Sequence, residues 1–520
     1  MNKCNCSSQK TLNCTVYSAK KSRILQITIY QYLAVKIPLD RKSRKPIYLQ
    51  IKDRISRLIK SGALQPEERL PSIRCLAEKL QVNKLTILEA YSILEADGII
   101  FARQGSGYFV NQSNTIYTNI KSTFAPAQNV IISEGAGNSF FEIHMSAVQA
   151  QAKKEIINFS YGVPRPPQDI ALIGRRTITN AVDNLFAYDV PQGQLTLRKQ
   201  VAQILVQQGL EVTSENLIIT NGCEQALSLT MQYYLQKGDW VIVETPTYHG
   251  AIAILENMGA RIIGIPMNAE GMNLELLEKY LKSHRPKLIY TISTQHNPTG
   301  IATSQSHRQQ LLQLAEQYQC PILEDNAYEG LNFEPVPPPI KALDKQDLVT
   351  YAGTFSKTLI PGLRVGYMVV TGKHYQLLVE RKLMHDVHTS TISQAIVSEY
   401  LASGHYRRHR RRLQTENLLS RNTMLQAMEN YFPQEAKWTV PNGGLFLWVQ
   451  LPLNFDISQI RKQAIEQNVL FASGSAFFPN QQGYPAMRLS FSNTSETEIE
   501  LGISILGKLL KKHLLSVPLR

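Results

Sequence analysis

The stretch GTFSKTLIPGLRVGY (353–367) places a lysine, Lys357, among small, hydroxyl-bearing and apolar residues. A surface lysine normally has polar neighbours, because its ammonium group is strongly hydrated. Apolar runs at 348–352 and 365–370 predict a strand on each side of the stretch, joined by a partly buried connection. We therefore expect Lys357 either to pair with another group or to take part in chemistry.

From residue 157 onward the chain alternates strand-like and helix-like patterns. The apolar runs are NLIIT (216–220), DWVIVE (239–244), KLIYTIS (287–293), PILED (321–325) and VTYAGTF (349–355). Helical stripes such as GCEQALSLTMQYYL (222–235) lie between them. The alternation predicts an α/β fold with a mainly parallel sheet. Ligands of such sheets bind at the carboxyl ends of the strands.

Chemically versatile side chains follow these strands one after another. They are an amide, a carboxylate, an amine and two phenols: Asn297, Asp325, Lys357, Tyr248 and Tyr328. An amine that can form a Schiff base, with a carboxylate that can hold a pyridinium proton, is what pyridoxal 5'-phosphate requires. The sequence therefore predicts that Lys357 forms the Schiff base and Asp325 keeps the ring nitrogen protonated. Asn297 and Tyr328 would hydrogen-bond the phenolate oxygen, and Tyr248 would stack on the ring.

The phosphate of this coenzyme needs an anion site on the same edge. The residues that follow NLIIT offer backbone N–H groups at a helix N-terminus, and hydroxyls and a guanidinium surround Lys357. The predicted phosphate ligands are Gly222, Cys223, Glu224, Thr354, Ser356 and Arg364. The residues predicted to hold the coenzyme ring each have an ordinary alternative role: a helix cap for Asp325, a turn for Asn297, packing for Tyr248 or Tyr328, and a snorkelling surface lysine for Lys357. Their joint position at strand ends favours the coenzyme site.

The segment 157–510 resembles fold-type I aminotransferases. The motifs are YGVP (161–164), Y-x4-G-x3-LR (188–198), HNPTG (296–300), EDNAY (324–328), SKTLIPGLRVGY (356–367) and PNGGLFLW (441–448). The resemblance implies a large coenzyme-binding domain and a small C-terminal α+β domain from about residue 385. It also implies that Arg488 and Gly162 bind the α-carboxylate of an amino acid, and that Tyr188 reaches the phosphate of a neighbouring subunit. Cys223 replaces a serine common in relatives, so we expect somewhat weaker coenzyme affinity.

Residues 36–110 show a different pattern, in which three helical stripes precede two short β runs. Ser72 and Asn83 stand where they would cap the second and third helices, and the β runs flank the glycine-rich turn ARQGSG (102–107). This order predicts a winged helix-turn-helix. The segment carries fourteen Lys/Arg against eight Asp/Glu, a net charge of +6. A solvated charged face would explain the charge alone, but DNA binding also explains the caps and the hairpin.

This segment resembles the GntR family of bacterial repressor headpieces. The matching stretches are PIYLQI (46–51), G-ALQPEERLPSIRCLAEKL (62–80), NKLTILEAYSILEADGII (83–100) and RQGSGYFV (103–110). The residues predicted to contact DNA are Ser72, Arg74, Asn83, Lys84, Thr86, Arg103 and Gly105. Asn83 and Lys84 stand where the family usually has Ser-Arg, so a point charge replaces a bidentate guanidinium and the operator is expected to differ.

The rest of the chain adds little chemistry. Residues 1–35 predict a disordered tail or a misplaced start, and 111–156 predict a linker with a short helix around 144–154. Cys4, Cys6 and Cys14 fit no zinc pattern, so we predict no metal site. No apolar run is long enough to span a membrane. The basic run HYRRHRRRLQTE (405–416) predicts a solvated or interdomain helix rather than a second DNA site.

A GntR headpiece joined to an aminotransferase-like domain is the architecture of the MocR regulators. The resemblance implies a cytoplasmic homodimer, arranged head to tail, that binds pyridoxal phosphate and double-stranded operator DNA at the bacterial nucleoid. Two functions stay open. The protein is either a transcription factor whose coenzyme domain senses pyridoxal phosphate or an amino acid, or a working aminotransferase attached to a DNA-binding domain.

Overall fold

The computed structural model describes residues 37, 39–41, 46–60, 64–65, 67–96, 99–103, 105–111, 129–134, 145, 155–181 and 186–516. The chain divides into two compact units, Met1–Asn119 and Ile120–Arg520. The predicted tail, 1–35, and most of the predicted 144–154 helix lie outside the described residues. Within the described part no helix has the length and apolar character needed to cross a membrane.

The first unit is the predicted winged helix-turn-helix. Its elements are α1 Ile47–Lys60, α2 Ile73–Leu80, α3 Lys84–Ala96, β1 Ile100–Arg103 and β2 Gly107–Val110. The Ser72 hydroxyl accepts from the Cys75 N–H at 3.3 Å, and Asn83 Oδ1 accepts from the Leu85 N–H at 2.9 Å. Both predicted helix caps are therefore confirmed. The apolar stripes of the three helices meet in one buried core that includes Ile55.

The second unit begins with a large part built from alternating strands and helices. In chain order the elements up to residue 402 are β3 Ile131–Ser133, β4 Ile157–Asn158, α4 Ile170–Ala181, α5 Leu195–Gln207, β5 Leu217–Thr220, α6 Cys223–Tyr234, β6 Trp240–Thr245, α7 His249–Asn257, β7 Arg261–Asn268, β8 Gly271–Met272, α8 Leu274–His284, β9 Leu288–Thr291, α9 Gln305–Gln317, β10 Ile322–Asp325, β11 Val349–Thr354, β12 Gly366–Val369, α10 His374–Asp386 and α11 Thr391–Ala402. All of them except β4 belong to the large part, because β4 pairs with Val469–Leu470 of the small part. Most of these strands form one nine-stranded sheet in the order β3-β7-β6-β9-β10-β11-β12-β5, with β8 paired to β7.

The central strands of this sheet run parallel, which confirms the predicted α/β class. β7, β6, β9, β10 and β11 pair in parallel. β12 is antiparallel to both β11 and β5, so β5 runs in the same direction as the central strands. The carboxyl ends of β6, β9, β10, β11 and β5 therefore lie on one edge of the sheet. That edge positions the candidate site.

One strand of the large sheet lies where a linker was expected. β3 pairs antiparallel with β7, with Ile131 opposite Gly264. The prediction that all of 111–156 is linker is therefore wrong for Ile131–Ser133. The physical reason is that this short run gains backbone hydrogen bonds by covering the edge of the sheet, although Ile132 stays exposed.

The small part of the second unit is α+β, as expected. Its elements are α12 His405–Tyr431, β13 Lys437–Trp438, β14 Phe446–Gln450, α13 Ile457–Glu466, β15 Val469–Leu470, β16 Ala472–Ser473, β17 Ala486–Ser490 and α14 Glu496–Ser516. A four-stranded sheet in the order β13-β14-β17-β16 packs against these helices. The boundary near residue 385 is too early, because Ile396, Val397 and Tyr400 of α11 belong to a core of the large part.

Candidate functional site

Asp325 is held at the end of β10 by three donors. Tyr290 OH donates to Oδ2 at 2.8 Å, the Ala327 N–H donates to Oδ1 at 3.2 Å, and the Cys223 thiol lies 3.5 Å from Oδ1. Burial raises the pKa of this carboxyl to about 6, while the hydrogen bonds from Tyr290 and Cys223 act to lower the pKa. The result is a buried carboxylate that is still ionised at neutral pH.

Lys357 follows β11, and its side chain contacts the segment that follows β4. Its Nζ donates to the Gly162 carbonyl oxygen at 2.9 Å and lies 5.5 Å from the centroid of the Tyr161 ring. Burial, followed by the nearby Arg488 cation, lowers the pKa of Lys357 to about 8. A lysine with this pKa carries a substantial neutral fraction near pH 7 to 8, which is the form that attacks carbonyl groups.

Arg488, Asn297 and Tyr328 form one buried hydrogen-bonded chain. Arg488 Nη1 donates to Asn297 Oδ1 at 2.8 Å, and Asn297 Nδ2 donates to Tyr328 OH at 3.1 Å. Arg488 Nη2 donates to the Ser160 carbonyl oxygen at 2.6 Å. Burial lowers the pKa of Arg488 to about 10. Three of the predicted residues are therefore brought together by direct contacts.

The Arg488 guanidinium lies against aromatic rings and has no acidic partner among the described residues. Its Cζ lies 3.9 Å from the centroid of the Phe446 ring and 4.8 Å from that of Phe477. Its Nε has no hydrogen-bond partner in that same set of residues. At Gly162, the other residue predicted to bind the carboxylate, a Cβ atom would collide with the Phe446 ring. A buried cation with these neighbours offers a site for a ligand carboxylate.

The predicted phosphate ligands cluster around the N-terminus of α6. Ser356 Oγ lies 3.1 Å from Thr354 Oγ1 and 3.4 Å from Arg364 Nη1. Gly222 caps α6 at φ +77° and ψ 176°, a backbone conformation that favours glycine, and a Cβ there would lie 2.6 Å from Arg364 Nη2. The Gly222 N–H donates to the Thr220 carbonyl at 2.9 Å. The expectation that this N–H is free is therefore wrong, and the glycine contributes space instead.

Glu224 and Tyr248 contact each other. The Tyr248 OH donates to the Glu224 carboxylate. Burial, followed by the Glu224 charge, raises the pKa of Tyr248 well above its ordinary value, so the phenol stays protonated. The sequence suggested only the Glu224 N–H as a ligand, whereas the structure adds a carboxylate that orients Tyr248.

Tyr188 is the predicted residue that the structure keeps apart from the others. It is 88% exposed, and its ring lies 6.0 Å from that of His388 on the surface. The thiol of Cys223 lies next to Asp325, although the sequence had placed this residue in the phosphate site. The position of Tyr188 bears on which group completes the phosphate site, and the position of Cys223 bears on what holds Asp325.

The residues that sequence reasoning missed include Tyr290, Tyr161 and Ser160. Tyr290 offered a signal, because a hydroxyl inside the buried strand β9 must find a hydrogen-bond partner. Ser160 contributes a carbonyl oxygen, which no sequence pattern reveals. The set as a whole fits pyridoxal phosphate: a deprotonatable amine, a buried carboxylate, a hydrogen-bonded amide–phenol pair, and a glycine-walled loop with hydroxyls and a guanidinium.

The predicted DNA-contact residues of the first unit are mostly exposed. Arg74, Asn83 and Lys84 lie at the starts of α2 and α3 on the surface. Arg103 differs from this pattern, because it pairs with Glu67 at 2.6 Å and packs on the rings of two neighbouring phenylalanines at 5.2 and 5.0 Å. Gly105 adopts φ +75° in the turn of the wing.

The basic run at the start of α12 is partly used within the second unit. Arg412 Nη2 donates to the Pro166 carbonyl oxygen at 2.6 Å, and its Nε lies 3.6 Å from Glu416. His409 is buried, which lowers its pKa to about 4. These contacts agree with the interdomain interpretation of this run.

Two family models match the chain. Residues 154–506 match the family described as aminotransferase class I and II, and residues 47–110 match the family of bacterial regulatory proteins, gntR family. Among curated relatives, YdfD of Bacillus subtilis, described as an uncharacterised HTH-type transcriptional regulator, is 30% identical over 91% of this chain and 98% of its own.

Two solved aminotransferases match less than three quarters of this chain. A kynurenine aminotransferase from Pyrococcus horikoshii is 32% identical with a TM-score of 0.67, over 72% of this chain and 95% of its own. An alpha-aminoadipate aminotransferase from Thermus thermophilus, complexed with N-(5'-phosphopyridoxyl)-L-leucine, is 32% identical with a TM-score of 0.67, over 73% and 98%. The regulator matches both units and the enzymes match one. The chain therefore belongs to the transcriptional regulators in which a GntR-type DNA-binding domain precedes an aminotransferase class I and II domain, the MocR architecture.

Proposed function

We propose that this regulator binds pyridoxal phosphate at Lys357 and that ligands at this site set the affinity of the headpiece for operator DNA. The observation that carries the proposal is the buried chain Arg488–Asn297–Tyr328, which lies on the same sheet edge as Lys357 and Asp325. A bound pyridoxal phosphate supplies an aldehyde that condenses with an amine and a ring that withdraws electrons from the attached group.

The residues of the chain have separate roles in this proposal. Lys357 supplies the neutral amine, and Asp325 supplies the buried negative charge that favours a proton on the ring nitrogen. Asn297 and Tyr328 provide hydrogen bonds to a ring oxygen, and Tyr248, fixed by Glu224, provides an aromatic surface. The phosphate ligands are the N–H groups of Cys223 and Glu224 with Thr354, Ser356 and Arg364, while Gly222, whose N–H is bonded to Thr220, leaves space for the phosphate.

Arg488 and Gly162 select the effector. A guanidinium that is only 2% exposed and has no acidic partner in the described part of the chain favours a ligand that brings a carboxylate. An amino acid carries both that carboxylate and an amine able to exchange with Lys357. We therefore propose an amino acid, or the coenzyme itself, as the effector.

The proposed regulator acts as a cytoplasmic homodimer in which Tyr188 reaches the phosphate of the other subunit. Phe186, Tyr188 and Met384 are 89%, 88% and 80% exposed, which is unusual for large apolar side chains. The ring centroids of Tyr188 and His388 lie 6.0 Å apart, so the segment around Tyr188 and the end of α10 share one surface. Its burial in a dimer would remove this apolar area from water and complete the phosphate site.

In the headpiece, the operator would be read by the exposed starts of α2 and α3. Ser72 and Arg74 are placed for phosphate, while Asn83, Lys84 and Thr86 are placed for base edges. Arg103 and Gly105 belong to the wing. Because Arg103 already pairs with Glu67, a phosphate contact from this residue would have to share or replace that pair.

A spectrum and an operator titration test the proposal together. Wild-type protein mixed with pyridoxal phosphate should gain a visible absorption band, Lys357→Ala should lose it, and borohydride should fix the coenzyme on Lys357. Coenzyme, alone or with one amino acid, should then change operator affinity by about 1–3 kcal/mol. Fast transamination of one substrate pair, with operator affinity unchanged by every ligand, would support an enzyme instead.

A further inference from the structure

An ion pair between a buried lysine and a partly buried aspartate lies beside the predicted phosphate loop, residues 222–224, without belonging to the predicted site. Asp386, the last residue of α10, accepts from Lys382 Nζ at 2.7 Å through Oδ1 and at 3.0 Å through Oδ2. The Lys382 side chain is fully buried, and burial lowers its pKa. A buried lysine needs a partner of this kind, because an uncompensated charge in the interior is strongly destabilising.

The same carboxylate holds the loop that leads into α6. Asp386 Oδ2 accepts from Asn221 Nδ2 at 2.6 Å and from Gln225 Nε2 at 2.8 Å. Gln225 Oε1 in turn accepts from the Asn221 N–H at 2.8 Å. Asn221 and Gln225 immediately flank residues 222–224, so a single carboxylate fixes both ends of the predicted phosphate loop.

The loop is also tied to the predicted phosphate guanidinium. Arg364 Nη2 lies 3.4 Å from the Asn221 carbonyl oxygen, so a shift of Asn221 would move both the loop and Arg364. Asp386 itself is fixed from its backbone side. Its carbonyl accepts from the His388 N–H at 2.7 Å across Val387, whose φ of +62° is strained for a β-branched residue. Such strain persists at ligand clamps where the surroundings enforce it.

We propose that Asp386 is a positioning residue that preorganises residues 221–225 for a phosphate monoester, with Lys382 neutralising its charge. The inference rests on the proposed coenzyme function and identifies what sets the preference for the phosphorylated coenzyme. Preorganised N–H donors bind an anion tightly because they need not reorient on binding. A bare carboxylate so close to the loop would repel the phosphate, and the Lys382 ammonium removes that repulsion.

The test compares two aldehydes that differ only in the phosphate. Pyridoxal 5'-phosphate and pyridoxal are titrated separately into full-length wild type, Asp386→Asn and Asn221→Ala, and the visible band is followed. Asn221→Ala leaves the Lys382–Asp386 pair intact, so it keeps the test valid if Asp386→Asn folds poorly. Glu380→Gln is the control, since Glu380 lies on the same helix in an exposed pair with Gln376.

Asp386→Asn and Asn221→Ala should each lose about tenfold or more in affinity for pyridoxal 5'-phosphate, which is the equivalent of one charge-assisted hydrogen bond. Their affinity for pyridoxal should match that of wild type, as should both affinities of Glu380→Gln. Equal losses for the two aldehydes, or no loss in either variant, would overturn the positioning role. The absence of a band in wild type would instead refute the coenzyme function and the inference with it.

Discussion

Replacement of Arg488 by methionine separates ligand recognition from protein stability. The wild-type guanidinium is 2% exposed, with hydrogen bonds to Asn297 Oδ1 and the Ser160 carbonyl oxygen. Its pKa of about 10 keeps it charged at neutral pH, even though burial has lowered that pKa. In Arg488→Met an unbranched apolar chain occupies much of the same space between Phe446 and Phe477.

The two effects of this substitution have different sizes. For the unliganded protein, loss of two hydrogen bonds from a charged donor costs about 1.5–3 kcal/mol each. Removal of a buried, unpaired charge returns several kcal/mol. The free energy of unfolding should therefore change by no more than about 2 kcal/mol in either direction. A ligand carboxylate, in contrast, loses its buried partner, which costs about 2–5 kcal/mol, or roughly 30-fold to several-thousand-fold in affinity.

The assay titrates each of the standard L-amino acids, and the matching amine without its carboxylate, into a complex of full-length protein, coenzyme and operator DNA. Wild type should respond to one or a few amino acids far more strongly than to their amines. Arg488→Met should respond to both equally weakly, with DNA binding by the unliganded protein retained. A variant that keeps the wild-type preference for the carboxylate, or that unfolds outright, would refute the assignment of Arg488.

Three further predictions concern the site and the headpiece. The rate of pyridoxal phosphate attachment should rise about tenfold per pH unit below pH 8 and level off above it, because Lys357 loses its proton with a pKa of about 8 and only the neutral amine reacts. Stopped-flow absorbance measures this rate. Tyr290→Phe removes a donor that favours ionised Asp325, so the pKa of that carboxyl should rise above about 6, measurable as a shifted pH profile of the bound-coenzyme spectrum. Arg74→Ala and Lys84→Ala should each weaken operator binding, and loss of a phosphate contact should reduce the slope of log affinity against log salt by about 1; a salt series of operator titrations measures both.

Residues at the ends of strands were the most predictable part of the fold and site. Asp325 ends PILED and Lys357 follows VTYAGTF, and the parallel sheet brings such positions to one edge whatever the details of packing. The helix caps at Ser72 and Asn83 are equally predictable from the sequence, because capping depends on a few neighbouring residues. Local rules were sufficient in each of these places.

Local sequence rules do not predict contacts between distant parts of the chain. Asp386 lies 165 positions from Asn221, and its interactions depend on how α10 packs against α6. The orientation of the Cys223 thiol toward Asp325 depends on how α6 packs against β10. Ile131–Ser133 looked like linker because three residues are too few to show a strand period, and only the sheet edge beside them makes them a strand.

The hydrogen bond between Lys357 Nζ and the Gly162 carbonyl oxygen would compete with the proposed coenzyme for the Lys357 amine. An ammonium or amine can donate to this carbonyl, but an amine consumed by an aldehyde has at most one hydrogen left to give. If the proposed coenzyme took this amine, the Gly162 carbonyl would need water or another donor. Occupancy of Lys357 would therefore change the hydrogen bonding of the backbone near the beginning of the aminotransferase-like domain, the end of that domain to which the DNA-binding headpiece is covalently joined.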